Sequence, residues 1–168
     1  MSWLSSWRGA GGVGEGAVEA IVNERKENGN YTAFDDFMKR VDLRSANKRT
    51  LESVVCAGGF DLFDLKRSEY FSKEDNGQTY IEKMIKFGNK IKDSENSNQF
   101  DMFGESDEAS IQAPVPNPVL PWTTMELLSR EKEVVGIYIS GHPLDDYKIE
   151  ISNFCNGNLA MLNNMDKV

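Results

Sequence analysis

The sequence predicts a mainly α-helical protein. Apolar residues recur at helical spacing in segment after segment, apolar–polar alternation is scarce, and turns rich in glycine or asparagine separate the segments. A polar, then proline-rich stretch interrupts this pattern, so the chain reads as a helical domain, a linker and a shorter helical end.

The first helix opens directly out of Gly11-Gly12-Val13-Gly14-Glu15-Gly16. Ala17, Ala20, Ile21 and Glu24 keep its rhythm until Asn28-Gly29. Thr32 with Asp35 forms a start of the capping-box kind, and Phe34, Phe37, Met38 and Val41 share one face after it. Asn47 caps a third helix whose buried stripe is Leu51, Val54 and Val55, and Ala57-Gly58-Gly59 ends it. Ile81, Met84, Ile85 and Ile91 mark a fourth, weakened by Gly88. The pairs around residues 11–28 and 34–58 could be related, although spacing alone establishes no repeat.

Residues 93–121 are acidic at first, then carry Pro114, Pro116, Pro118 and Pro121, as an extended, disordered linker does. Thr123 with Glu126 is another capping box. Met125, Leu128, Val135 and Tyr138 predict a helix running toward Ser140, stopped by Gly141 and Pro143. Ile149 and Ile151 hint at a strand. The boundaries expected are therefore an atypical tail at 1–10, a helical domain at 11–92, the linker at 93–121, a connecting helix at 122–148 and a further element at 149–168.

Composition excludes several classes. The chain has 168 residues, 39% of them hydrophobic and 27% charged, and no apolar run approaches the roughly 20 residues that span a bilayer. Cys56 and Cys155 have no CxxC partner and suit a reducing compartment, and residues 1–8 do not read as a secretory leader. Cytoplasmic location with no membrane partner is the expectation. A single histidine, His142, leaves no material for a histidine metal cluster, and no cofactor or metal is expected in this stretch. His142 reads as a turn or cap residue, Cys56 as a small core residue, and Trp122 as packing the linker onto the final helix.

Charge is unevenly placed. Residues 1–92 hold 15 Lys+Arg and 14 Asp+Glu, whereas residues 93–168 hold 4 and 13, so the net charge of −8 belongs to the C-terminal part. Arg44, Lys48 and Arg49 gather three positive charges within six residues, either as a cationic patch or as a solvated helix start.

Two motifs carry binding chemistry. Gly12-Val13-Gly14, with Ala17 and Ile21 following, resembles the helix-hairpin-helix of DNA-binding proteins. Gly12, Gly14 and Gly16 let the backbone approach a phosphate and adopt positive φ, while N–H groups at the helix start point at the anion. Val13 would plug the hairpin into the core. A plain helix–helix turn explains the motif equally well, but no strand precedes it and the glycine spacing is too short for a dinucleotide fold. In the linker, Gln99-Phe100-Asp101-Met102-Phe103 places three large apolar residues in an acidic segment. It suits a partner's preformed pocket, with the alternative that it folds back on the core.

Five stretches together resemble the α (catalytic) subunit family of bacterial replicative DNA polymerase III. They are Gly12 to Ile21, Phe37 to Asp42, Asn47 to Glu52 with Ala57 to Asp61, Gln99 to Phe103, and Glu131 to Asp145. The resemblance spans about residues 11–148 and implies a tandem helix-hairpin-helix module on sequence-independent duplex DNA. It implies phosphate contacts at Gly12, Val13, Gly14, Gly16, Arg44, Lys48 and Arg49. It also implies a β sliding clamp motif at Gln99 to Phe103, a truncated start of an OB-fold at 149–168, and other holoenzyme subunits as partners through regions outside this chain. The parent activity would be DNA-directed DNA polymerase with Mg²⁺ in a palm domain. No part of this chain matches that palm, so the stretch is expected to be inactive alone. Two other classes stay open: a structural spacer between polymerase domains, and a helix-hairpin-helix DNA-repair protein using Asp35, Asp36 or Asp42.

Overall fold

The computed structural model describes residues 13–96 and 112–155. Its helices are α1 (Glu15–Asn28), α2 (Phe34–Arg40), α3 (Lys48–Cys56), α4 (Arg67–Tyr70), α5 (Tyr80–Asn96), α6 (Thr124–Val135) and α7 (Lys148–Phe154). Among the described residues there is no strand, only an isolated bridge between Lys73 and Thr79.

One apolar core unites α1, α2, α3, α4 and α5. The predicted stripes all reach it: Ile21 of α1, Phe34, Phe37 and Met38 of α2, Leu51, Val54 and Val55 of α3, and Ile81 and Met84 of α5 are buried. Aromatic rings fill its centre. Phe34 meets Tyr70 edge-on at 4.9 Å and Phe60 at 5.2 Å, and Phe37 meets Phe60 at 4.9 Å, arrangements worth about 1 kcal/mol each beyond area burial. Burial raises the Tyr70 and Tyr80 hydroxyls, the latter to about 12.

Gly88 explains the closest helix contact rather than weakening α5. A Cβ there would lie 2.6 Å from the Met38 carbonyl oxygen and 2.7 Å from Leu43 Cδ1, so its absence lets α5 press against α2. Gly58 ends α3 at φ 79°, as expected of its position.

The local start signals are realised with one shift. Asn47 caps α3, its side chain accepting from Thr50 N, and Thr123 and Glu126 form a reciprocal capping box on α6. Thr32 instead donates its N–H to Asp36 at 2.9 Å rather than to Asp35, which pairs with Lys39. α5 begins with a box that was not foreseen: Thr79 N donates to Glu82 Oε2 and Glu82 N to Thr79 Oγ1.

Three expectations about the C-terminal half are corrected. Residues 93–96 belong to α5, so the linker cannot start at 93. α6 ends at Val135 because Gly136 takes the left-handed conformation at φ 82°, five residues before Gly141. Ile149 and Ile151 lie in α7, not in a strand, so the expected OB-fold start at 149–168 opens with a helix; residues 156–168 lie outside the described residues. The proline-rich chain lies against the domain. Ala113 packs on the core, Asn117 Nδ2 donates to the Lys73 carbonyl, and Trp122 packs at a tilt against Phe71, with the Arg130 guanidinium 4.2 Å from the Trp122 ring.

Two ionic junctions fasten these parts. Arg40 links α1 to α2, donating to Glu24, Asp36 and the Gly29 carbonyl while lying over the Tyr31 ring. Arg67 links α4 to α6: it donates to Asp61 Oδ1 at 2.7 Å, to Glu131 Oε1 at 2.8 Å and to the Cys56 carbonyl. Glu131 is fully buried, and its other oxygen accepts the Ile139 and Ser140 N–H groups at 2.8 and 2.9 Å. That second pair holds the chain beyond Gly136.

Candidate nucleic-acid interface

Among the described residues the turn into α1 is open. Gly14 is its N-cap in extended conformation, with φ −69° and ψ 145°, and no described side chain caps it. The Gly14 carbonyl takes up Ala17 N and Val18 N, leaving the Glu15 and Gly16 N–H groups at the first turn of the helix, where no intrahelical acceptor exists. A Cβ built on Gly14 or Gly16 would meet nothing within 4 Å. Neither glycine has positive φ, so the turn needs them for exposure of the backbone and not for a left-handed bend. Val13 packs against the core, as its plug role requires. Gly12 lies outside the described residues. Glu15 and Glu19 are exposed on the first turns of the same helix.

At the second turn, Arg44, Lys48 and Arg49 are all exposed, but they are not equivalent. Lys48 is committed within the protein: its ammonium lies 2.8 Å from Glu82 and 3.7 Å from Glu52. The Lys48 hydrogen bond, followed by that of Thr79 N, holds the Glu82 carboxyl at about 2, well below the usual carboxylate range. Arg44 and Arg49 have no ion pair among the described residues. The loop before α3 is shaped by Asp42, whose carboxylate accepts from Ser45 Oγ at 2.8 Å and from Arg44 N at 3.1 Å. These bonds, the Ser45 one foremost, lower the Asp42 carboxyl. Asp35 and Asp36 are likewise held by Lys39 and by Thr32 and Arg40, the positions of structural acids.

His142 shapes a turn, its Nδ1 accepting from Leu144 N while its own N–H donates to Asp145. Gln99, Phe100, Asp101, Met102 and Phe103 lie outside the described residues. Among the described residues no group of His, Cys, Asp and Glu side chains converges as a metal site would require, and no helix is long and apolar enough to cross a membrane.

Residues 8–70, which hold the turn into α1, the Val13 plug and the loop before α3, match the helix-hairpin-helix motif family. Beyond that motif, the chain is 35% identical to DNA polymerase III subunit alpha of Borreliella burgdorferi over 158 residues, which is 93% of this chain and 13% of the relative. It is 34% identical to the same subunit of Pseudomonas aeruginosa, over 90% of this chain and 14% of the relative. Against that of Neisseria meningitidis serogroup A it is 33% identical, over 94% and 13%. Over about nine tenths of its length the chain is thus similar to DNA polymerase III alpha subunits, as a piece of such a subunit would be, and it spans about an eighth of the length of these relatives.

Proposed function

We propose that this chain is the part of a replicative polymerase subunit that grips duplex DNA without reading its sequence and tethers the subunit to a sliding clamp. The observation that carries the DNA half is the open start of α1, with no described side chain capping it, within the matched motif. Backbone N–H groups there suit one phosphate oxygen, and the positive end of the helix dipole adds to the attraction. Arg44 and Arg49 neutralise a second stretch of backbone, with Lys48 contributing through its shared pair with Glu82. Phosphates carry no sequence information, so binding is general and falls steeply with salt. The chemistry of polymerisation belongs to carboxylates and Mg²⁺ in a palm domain that this chain does not match.

A Gly14→Asp variant tests the hairpin contact. Nothing obstructs a side chain at Gly14, and aspartate is a favoured N-cap, so helicity is kept or raised. Its carboxylate would occupy the N–H groups and repel the phosphate. Anisotropy with a labelled duplex should show weaker binding; unchanged affinity would remove the hairpin from the interface.

The clamp half rests on Gln99, Met102 and Phe103 in the family's order. Gln99 bonds the pocket rim, Met102 and Phe103 fill the pocket, and Phe100 and Asp101 space them. Truncating each pocket-filling residue should cost about 2 kcal/mol of binding. The triple variant Gln99→Ala/Met102→Ala/Phe103→Ala should lose micromolar binding to the cognate clamp with circular dichroism unchanged. Equal binding by both proteins would leave the spacer reading in its place.

A further inference from the structure

We infer that α5 carries a second tract for the duplex backbone, in which Lys86 and Lys90 extend the phosphate contact beyond the two hairpin turns. This rests on the duplex-binding reading above. Lys86, Asn89 and Lys90 are exposed along α5, while Met84, Phe87 and Gly88 face the core. The two lysines are four residues apart, so they stand one above the other on one face, about 6 Å apart along the axis.

Their charge is unspent. Five basic residues of this domain lie against an acid: Lys39 against Asp35, Arg40 against Glu24 and Asp36, Lys48 against Glu82, Arg67 against Asp61 and Glu131, and Lys83 against Glu74. Among the described residues neither Lys86 nor Lys90 has such a partner. Like charges four apart on a helix repel by a few tenths of a kcal/mol, a cost that an anion lying across both removes.

Geometry joins this face to the second hairpin. One open groove of about 610 Å³ is lined by Lys48 at the start of α3 together with Gln78, Glu82 and Lys86. A second groove of about 540 Å³ continues from Lys86 past Asn89 to Lys90, Asp93 and Ser94. Lys86 belongs to both, so the two grooves meet at its side chain between the α3 start and the α5 face. Two acids border the grooves. Glu82 is bound by Lys48 and Thr79 N, and Asp93 closes the far end. A shallow, open channel with point charges and amide side chains fits a polyanionic backbone, not a small enclosed ligand.

The test is the salt dependence of duplex binding by the full 168-residue chain and by Lys86→Gln/Lys90→Gln. Lys132→Gln/Lys148→Gln serves as a control with the same change in net charge on α6 and α7. Both lysines of the first pair are exposed, so helicity and melting temperature should match the parent chain. The expected result is weaker binding and a slope of log K against log[salt] shallower by about one per lysine, with the control close to the parent. A parent chain that binds duplex with salt dependence, and a Lys86→Gln/Lys90→Gln variant with the same slope, overturns the α5 tract and leaves the hairpin reading standing. A parent chain with no salt-dependent binding overturns both.

Discussion

Replacing Glu131 by glutamine should be the most damaging single-atom change in this protein. The carboxylate is fully buried and accepts four hydrogen bonds, from Arg67 Nη1, Ile139 N, Ser140 N and Ser140 Oγ. Glutamine keeps the shape but presents an NH₂ group where one oxygen stood, so donors face donors. Up to two of the four bonds are lost, and their part-buried donors lose an acceptor, each costing about 1 kcal/mol or more. Arg67 also loses half of its counter-charge, although Asp61 still holds it through two bonds at 2.7 and 2.5 Å. Breaking a buried pair usually costs about 3–5 kcal/mol, and the retained Asp61 places this case near 3. At a urea slope of about 1.5 kcal/mol per molar, the midpoint should fall by about 2 M. The double variant Arg67→Met/Glu131→Leu should cost more than Glu131→Gln alone, because it also leaves the Ile139 and Ser140 N–H groups and the Cys56 carbonyl without their partners. Urea titration followed by circular dichroism at 222 nm checks both. A midpoint for Glu131→Gln within about 0.3 M of the parent would show that this junction does not hold α6 to the hairpin domain.

The same group gives a pH dependence. Burial alone would raise the Glu131 carboxyl, but the bonds from Ser140, Arg67 and Ile139 N outweigh it and hold the group below its ordinary value. The folded state therefore binds fewer protons than the unfolded chain near that value. This stability is complete above about pH 4.3 and is lost as pH falls through the folded value, so acid titration of Glu131→Gln should show a shallower loss than the parent. Gly88→Ala should lower stability by about 1–3 kcal/mol despite alanine's better helix propensity, because its methyl would press on the Met38 carbonyl; thermal melting measures it. Asn47→Ala removes the acceptor for Thr50 N and should cost about 1 kcal/mol by urea titration.

What could be read from the sequence was what neighbouring residues decide among themselves. The caps at Asn47 and Thr123 depend on a donor three residues away, and both were legible. So were the apolar stripes of α1, α2, α3 and α5, because one buried face imposes the helical period. The end of α6 was not, since Tyr138 keeps the period beyond Gly136. Gly136 was the local stop signal, taking the left-handed cap, while the carboxylate that holds the chain beyond it is fixed by Arg67, 64 residues earlier. Ile149 and Ile151 alternate like a strand, but no neighbouring strand among the described residues pairs with them, and helical bonds satisfy their backbone instead. Gly88 was legible as a helix weakness and misleading as one, because its worth lies in Met38 across the interface.

The candidate interface shows the same division. The glycine turn could be found from spacing, whereas the standing of each basic residue could not, because it depends on which acids fold beside it. Near-balance of charge over residues 1–92 speaks against a nucleic-acid surface only while the charges are counted as if evenly spread. In the fold, Glu24 and Glu82 are drawn into pairs that join helices, Asp35 and Asp36 pair within α2, and Asp61 and Glu74 tie loops to α4 and α5, so the cations they hold are fixed with them. Among the described residues, subtracting these pairs leaves Arg44 and Arg49 at the second turn and Lys86 and Lys90 on α5 among the cations without an ion pair. The α3 start and α5 are tied by the Lys48–Glu82 pair, so these four fall on neighbouring elements. A domain of net charge near zero thus keeps, among the described residues, cations without an acid on neighbouring elements, which is what weak, general binding to a phosphate backbone needs.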